Sequence, residues 1–271
     1  MSGLIARRTV LAGAVALPSL VACSRGKDSS PALDLDEGTL RSRFWPGQEV
    51  HWRLARPGRP AATAAAPRND ARRQPLVVAL HGLGGDASWP FDSVHIERHV
   101  VPTGLAVVTV DGGDFYWHAR RSGIDTGRMV TDELLPVMAR NGLTTDRVGL
   151  IGWSMGGYGA LLMATRLGPS RVAGVVAASA ALWQSPGDSA SGAFDDRADF
   201  VRNDVFAARG RLHGIPLRVD CGRDDPFIAA NRAFTRQLPA AAVLFDEGTH
   251  TEEYWTAHAG DEMKWLRNRF R

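Results

Sequence analysis

The stretch Gly152-Trp153-Ser154-Met155-Gly156 sets a serine between two glycines, each two residues away, and is the first place where this chain could do chemistry. The pattern alone says little in a chain with 29 glycines, so its surroundings decide. An apolar run, Val148–Ile151, precedes it and a helix-forming stretch, Ala160–Ala164, follows. A strained strand-to-helix turn at that point pushes the Ser154 hydroxyl out at the sheet edge, and a side chain at Gly152 or Gly156 would collide with neighbouring backbone. A hydroxyl is a weak nucleophile until a base takes its proton and an acid orients that base. Where a serine occupies such a corner, the chain order is Ser, acid, His.

Three histidines follow Ser154: His213, His250 and His258. His250 falls in the loop Glu247–Thr251 directly after the apolar run Val243–Phe245, whereas His258 belongs to a helical stretch, so His250 is the expected base. The acid should end an earlier strand. Leu217–Cys221 is that strand and Gly222–Phe227 its loop, which makes Asp225 the expected acid, ahead of Asp224 and of Asp220 within the strand. The developing oxyanion needs two backbone donors. One is the N–H of Met155, directly after the nucleophile, and the other is expected from Leu83 in the glycine-rich run His81–Asp86 that follows Val77–Ala79. No Lys-Ser/Thr follows that run, which argues against a phosphate loop. His95 and His99 are four residues apart, but Glu97 is not adjacent to the first of them as a zinc-protease helix requires; a solvated helix face is the simpler reading. Neither a metal nor a cofactor is expected. Asp111–His118 ends a strand at the same edge and could line the pocket.

These residues need a frame that brings several strand ends to one edge. The runs Leu76–Leu80, Ala106–Val110, Val148–Ile151 and Val172–Ala177 are continuous rather than alternating, as suits strands buried on both faces of a parallel sheet. Segments of helical length lie between and after them: Trp89–His99, Gly127–Arg140, Tyr158–Leu167, Ala229–Leu238 and Trp255–Phe270. Gln48–Ala55 reads as an early strand and Arg56–Arg73 as a loop, while Pro136 is placed to kink its helix. The alternation predicts an α/β fold, a doubly wound and mostly parallel sheet, over residues 48–271. Gly187–Arg211 interrupts the rhythm and reads as a short cap over the sheet edge, with the character of a lid.

Residues 1–22 are an address rather than part of the fold. Arg7-Arg8 precedes an apolar run, Val10–Leu17, too short for a stable membrane span, and the arginine pair has the form of a twin-arginine export signal. Leu20-Val21-Ala22-Cys23 resembles a bacterial lipobox, which predicts lipidation at Cys23, a membrane contact through that anchor, and a location at the cell envelope. Residues 23–47 then read as a tether. Of the two cysteines only Cys221 remains, as a buried small hydrophobe. The formal charge of +3 shrinks to 30 basic against 29 acidic residues without Arg7 and Arg8, which leaves no basic stripe to suggest nucleic acid.

The stretches His81–Asp86, Asp111–Gly113, Gly152–Ala160, Cys221–Phe227 and Gly248–Trp255 together resemble the esterase D family of α/β hydrolases. That family includes S-formylglutathione hydrolases and secreted mycolyltransferases. The resemblance implies a Ser154–Asp225–His250 triad with Leu83 and Met155 as the oxyanion hole. Three functions remain in view: a serine carboxylesterase acting on small acyl or envelope lipid esters, an acyltransferase of the mycolyltransferase type, and a non-catalytic envelope binding module.

Overall fold

Nearly every residue of the central apolar runs has no contact with water, and the strands they form make up one eight-stranded sheet in the computed structural model. The structure describes residues 32–58 and 74–270; the expected export signal, Cys23 and most of the expected 56–73 loop lie outside the described residues. The strands are β1 (Leu33–Arg41), β2 (Glu49–Pro57), β3 (Gln74–Leu80), β4 (Ala106–Val110), β5 (Leu143–Trp153), β6 (Val172–Ala178), β7 (Leu217–Asp220) and β8 (Ala242–Leu244). Their spatial order is β1-β2-β4-β3-β5-β6-β7-β8. β1 and β2 pair antiparallel, β2 meets β4 antiparallel, and every pairing from β4 to β8 is parallel. This is the expected α/β fold.

Helices cover both faces, which is why the central strands show no polar face. They are α1 (Trp89–Asp92), α2 (Val100–Thr103), α3 (Thr126–Met129), α4 (Leu135–Arg140), α5 (Met155–Leu167), α6 (Arg197–Arg202), α7 (Ile228–Thr235) and α8 (Glu252–Arg267). Leu76, Val78 and Leu80 pack with α3, α4, α5 and α7, whereas Val77 and Ala79 pack with α1, α2 and α8. Met155–Thr165 of α5 is buried all round, so this helix is rich in Gly, Ala, Leu and Met rather than amphipathic. Among the described residues no helix is long and apolar enough to cross a membrane.

Two local expectations change, and the disturbance expected at Pro136 takes the form of a π turn. The tether expected over 23–47 gives way at Leu33, because Leu33–Arg41 is a strand of the sheet. Its acidic residues are cross-strand partners: Asp34 lies opposite Arg56, and its carboxylate accepts from the buried Arg56 guanidinium at 2.9 Å. Trp89–His99 is not one helix. His95 adopts φ +57°, left-handed backbone that breaks the segment into α1 and a 3₁₀ turn, Ile96–His99, leading to α2. The helical stretch 126–140 widens into a π turn at Val130–Leu134, where the Pro136 ring would press on the carbonyl four residues back. The expected cap, residues 187–211, consists of short helical turns and α6, inserted between β6 and β7.

Candidate active site

Four strand ends meet at the carboxyl edge of the sheet, and each delivers one component. β5 ends at Trp153, and Ser154 follows with φ 56° and ψ −117° before α5 begins at Met155. This turn depends on glycine next to it. A Cβ built on Gly156 would stand 1.9 Å from the Leu80 carbonyl oxygen, and one on Gly152 would stand 2.1 Å from that of Gly156. The Ser154 N–H donates to the Ala178 carbonyl at 3.0 Å and its own carbonyl accepts from Ala181, so the corner is bonded to the end of β6. The Met155 N–H belongs to the first turn of α5, where backbone donors have no partner within the helix.

His250 stands in the loop after β8. Its Nε2 is 2.9 Å from Ser154 Oγ and its Nδ1 is 2.8 Å from Asp225 Oδ2. The loops that carry Asp225 and His250 are fastened to each other: Arg223 N–H donates to the Asp246 carbonyl and Asp224 N–H to the Gly248 carbonyl. A Cβ on Gly222 would lie 2.2 Å from the Gly248 oxygen, so glycine is what allows that approach. Asp225 is buried, and its other oxygen accepts from the Phe227 N–H at 2.8 Å, which fixes the carboxylate plane. A carboxylate, an imidazole and a hydroxyl linked in this sequence can draw a proton from the hydroxyl and hold the resulting imidazolium.

The structure therefore brings Ser154, His250 and Asp225 together. Asp224 is exposed beside them, and Asp220 is buried in a pair with Arg218. His258 binds Asp246 and the Tyr254 carbonyl, and His213 is an exposed residue at the end of the cap. Cys221 is a buried free thiol whose ionisation burial pushes up, away from any nucleophilic role. Gly82 of the expected oxyanion loop lies over the corner: a Cβ there would be 3.5 Å from Ser154 Cβ. Leu83, next to it, is 58% exposed.

Several contributors escape sequence reasoning. Phe227 packs 5.3 Å from the His250 ring, Trp183 packs on Phe227 at 5.8 Å, and Tyr116 on Trp183 at 5.7 Å, an aromatic wall leading away from the triad histidine. Trp255 contacts His250 edge-on at 5.0 Å from another side. The Asp111–His118 loop contributes Tyr116 to that wall, and its carboxylates reach the oxyanion loop: Asp114 accepts from Gly84 N–H and Asp111 from Ala87 N–H. The place of 111–118 at the end of a strand on the same sheet edge pointed to this lining role.

A family model described as "Putative esterase" matches residues 58–265, most of the chain. The chain belongs to this esterase family. A comparison with curated protein sequences finds no significant match. Among solved structures, the esterase is similar to a ferulic acid esterase at 19% identity and TM-score 0.73, over 89% of this chain and 100% of that one. It is similar to FphF, a fluorophosphonate-binding serine hydrolase of Staphylococcus aureus, at 18% identity and TM-score 0.75, over 87% and 99%. An S-formylglutathione hydrolase from Agrobacterium tumefaciens matches at 18% identity and TM-score 0.71, over 92% and 99%. At these identities the structures establish the shared α/β fold, and family membership makes the esterase a carboxylic ester hydrolase.

Proposed function

We propose that the esterase works through an acyl-enzyme on Ser154. Ser154 Oγ attacks the ester carbonyl while His250 Nε2 takes its proton, and Asp225 keeps the ring in the tautomer that leaves Nε2 free to accept. The Met155 and Leu83 N–H groups hold the oxyanion. His250 then protonates the departing alcohol, and water, deprotonated by His250, releases the acid. The observation that carries this reading is the unbroken Ser154–His250–Asp225 hydrogen-bonded chain.

The substrate we propose is a small or envelope-borne ester with a flat apolar group. Phe227 and Trp183 are half-buried beside His250, and Leu83 is exposed across the site, so apolar surface is offered where a substrate must lie. One similar structure is a ferulic acid esterase, and ferulic acid is an aromatic acid. The proposed location is the cell envelope, with export through residues 1–22 and a lipid anchor on Cys23; radiolabelled palmitate incorporated by the wild type and not by Cys23→Ala checks it.

The deciding experiment is hydrolysis of p-nitrophenyl esters of two to sixteen carbons, with cinnamoyl and straight-chain acyl groups compared. Ser154→Ala should fall about 10⁴-fold or more. Equal activity in the variant and the wild type would remove Ser154 from the mechanism. A straight-chain preference over cinnamoyl would remove the flat-group assignment alone.

A further inference from the structure

The Gly82 carbonyl oxygen accepts twice, from His81 Nδ1 at 2.7 Å and from the Gly85 N–H at 3.1 Å. The tautomer of His81 is fixed by its other nitrogen. Nε2 accepts from the Gly112 N–H at 2.9 Å, so Nε2 carries no proton and Nδ1 carries the one that goes to Gly82. The ring is completely buried, edge-on to Trp117 at 5.0 Å, and burial holds its pKa below the ordinary histidine value. Two residues further on, the Gly84 N–H is held by Asp114 Oδ1 at 2.7 Å, and at the end of the loop the Ala87 N–H is held by Asp111 Oδ1 at 2.9 Å.

A trans peptide points its C=O and its N–H in opposite directions within one plane. Fixing the Gly82 oxygen therefore fixes the direction of the Leu83 N–H, and the described residues contain no cis peptide. Two donors on the oxygen resist a flip of the Gly82–Leu83 peptide, and the Asp114 bond resists a flip of the peptide that follows. We propose that His81, assisted by Asp114, is a positioning residue that locks the Gly82–Leu83 peptide with its N–H turned toward the ester bound at Ser154. His81 touches no reacting atom. It acts through the backbone donor, as a latch that keeps the oxyanion hole formed before substrate arrives. This inference rests on the acyl-enzyme reading above and adds the part that prepares the site.

The test counts working sites by complete fluorophosphonate labelling and expresses kcat per labelled site. His81→Gln can still accept from Gly112 but presents no donor where Nδ1 stood, whereas His81→Asn keeps a donor at that place. The Gln variant should lose about 10²-fold in kcat per site, the cost of one oxyanion donor, with KM within about twofold. The Asn variant should recover most of that loss. Affinity for phenylboronic acid, whose serine adduct carries a tetrahedral anion, should fall in parallel with kcat. Asp114→Ala, at an exposed position, should show the same parallel fall on a smaller scale, about tenfold, and carries the test should both His81 variants fail to fold. A Gln variant with wild-type kcat per site overturns the latch, as does a loss confined to the number of labelled sites. So does an Asp114→Ala protein with wild-type kcat and boronate affinity. Failure of the underlying reading looks different: wild-type turnover would then be indifferent to Ser154→Ala.

Discussion

Asp225 and Asp224 are adjacent, chemically identical and opposite in situation: the first is buried with one oxygen on His250 Nδ1 and the other on a backbone N–H, and the second is exposed. Asp225→Asn should hold the wrong tautomer of His250 and lower kcat by roughly 10⁴-fold. Asp224→Asn should stay within about twofold of wild type, since only its backbone N–H is used. Steady-state kinetics on one short ester measures both. Ser154 and His250 were legible in the sequence because each sits directly after an apolar strand. The acid was expected at Asp225 ahead of Asp224, three residues past Gly222 and just before Pro226, and Asp225 is the one hydrogen-bonded to His250. In the sequence His81 is only the start of a glycine-rich run, because the partner of its ring, Gly112, comes from a loop 31 residues away.

At the scale of elements, the cap is fastened by one arginine in addition to the apolar packing of Ala193, Phe194, Phe200, Val205 and Phe206. Arg120 Nε and Nη2 donate to Asp195 at 3.1 and 3.0 Å, and its Nη groups also reach the Gly192 and Ala193 carbonyls. His118, buried and stacked on Phe194, donates from Nε2 to the same Ala193 carbonyl. Arg120→Ala removes a mostly buried charge from Asp195 and should cost about 1–3 kcal/mol. Limited proteolysis should then cut within 187–211 faster than in the wild type; unchanged cleavage would mean that packing alone holds the cap. Elements were legible where burial on both faces leaves an uninterrupted apolar run, as in β3–β6. They were illegible where a polar edge strand takes its register from charge pairs, as in β1. A backbone turn at His95 that no residue type announces also broke an apparently helical stretch.

The whole molecule carries a pH dependence that has nothing to do with the triad. Glu262 on α8 is completely buried near the Arg218–Asp220 pair; burial first and the Asp220 charge second raise its pKa well above the ordinary carboxyl value. Asp220 is raised too, by burial, against the pull of Arg218, with His258 and Asp261 as the other nearby charges. The unfolded chain releases the Glu262 proton at an ordinary carboxyl pH while the folded chain retains it. Stability from this site is complete below that ordinary value and is lost as pH rises toward the elevated folded one. Glu262→Gln has no proton to lose, so it should gain on the wild type by up to about 1.4 kcal/mol per pH unit over that interval. Urea midpoints of the two proteins at pH 5, 6.5 and 8 give the comparison, and parallel curves would refute it.

The backbone of Ser154, at φ 56° and ψ −117°, occupies a conformation that glycine adopts freely and other residues do not. Ser154→Gly should therefore be inactive and yet more heat-resistant than Ser154→Ala, by about 1 kcal/mol or 2–4 °C in Tm for a chain of this size. A Tm equal to that of the alanine variant would show that the corner relaxes without help. The position proposed for the nucleophile is thus one where the fold gains by losing its Cβ. A population of variants selected for heat resistance alone would drift toward glycine at 154, and only a screen that also demands ester turnover would keep the serine in place.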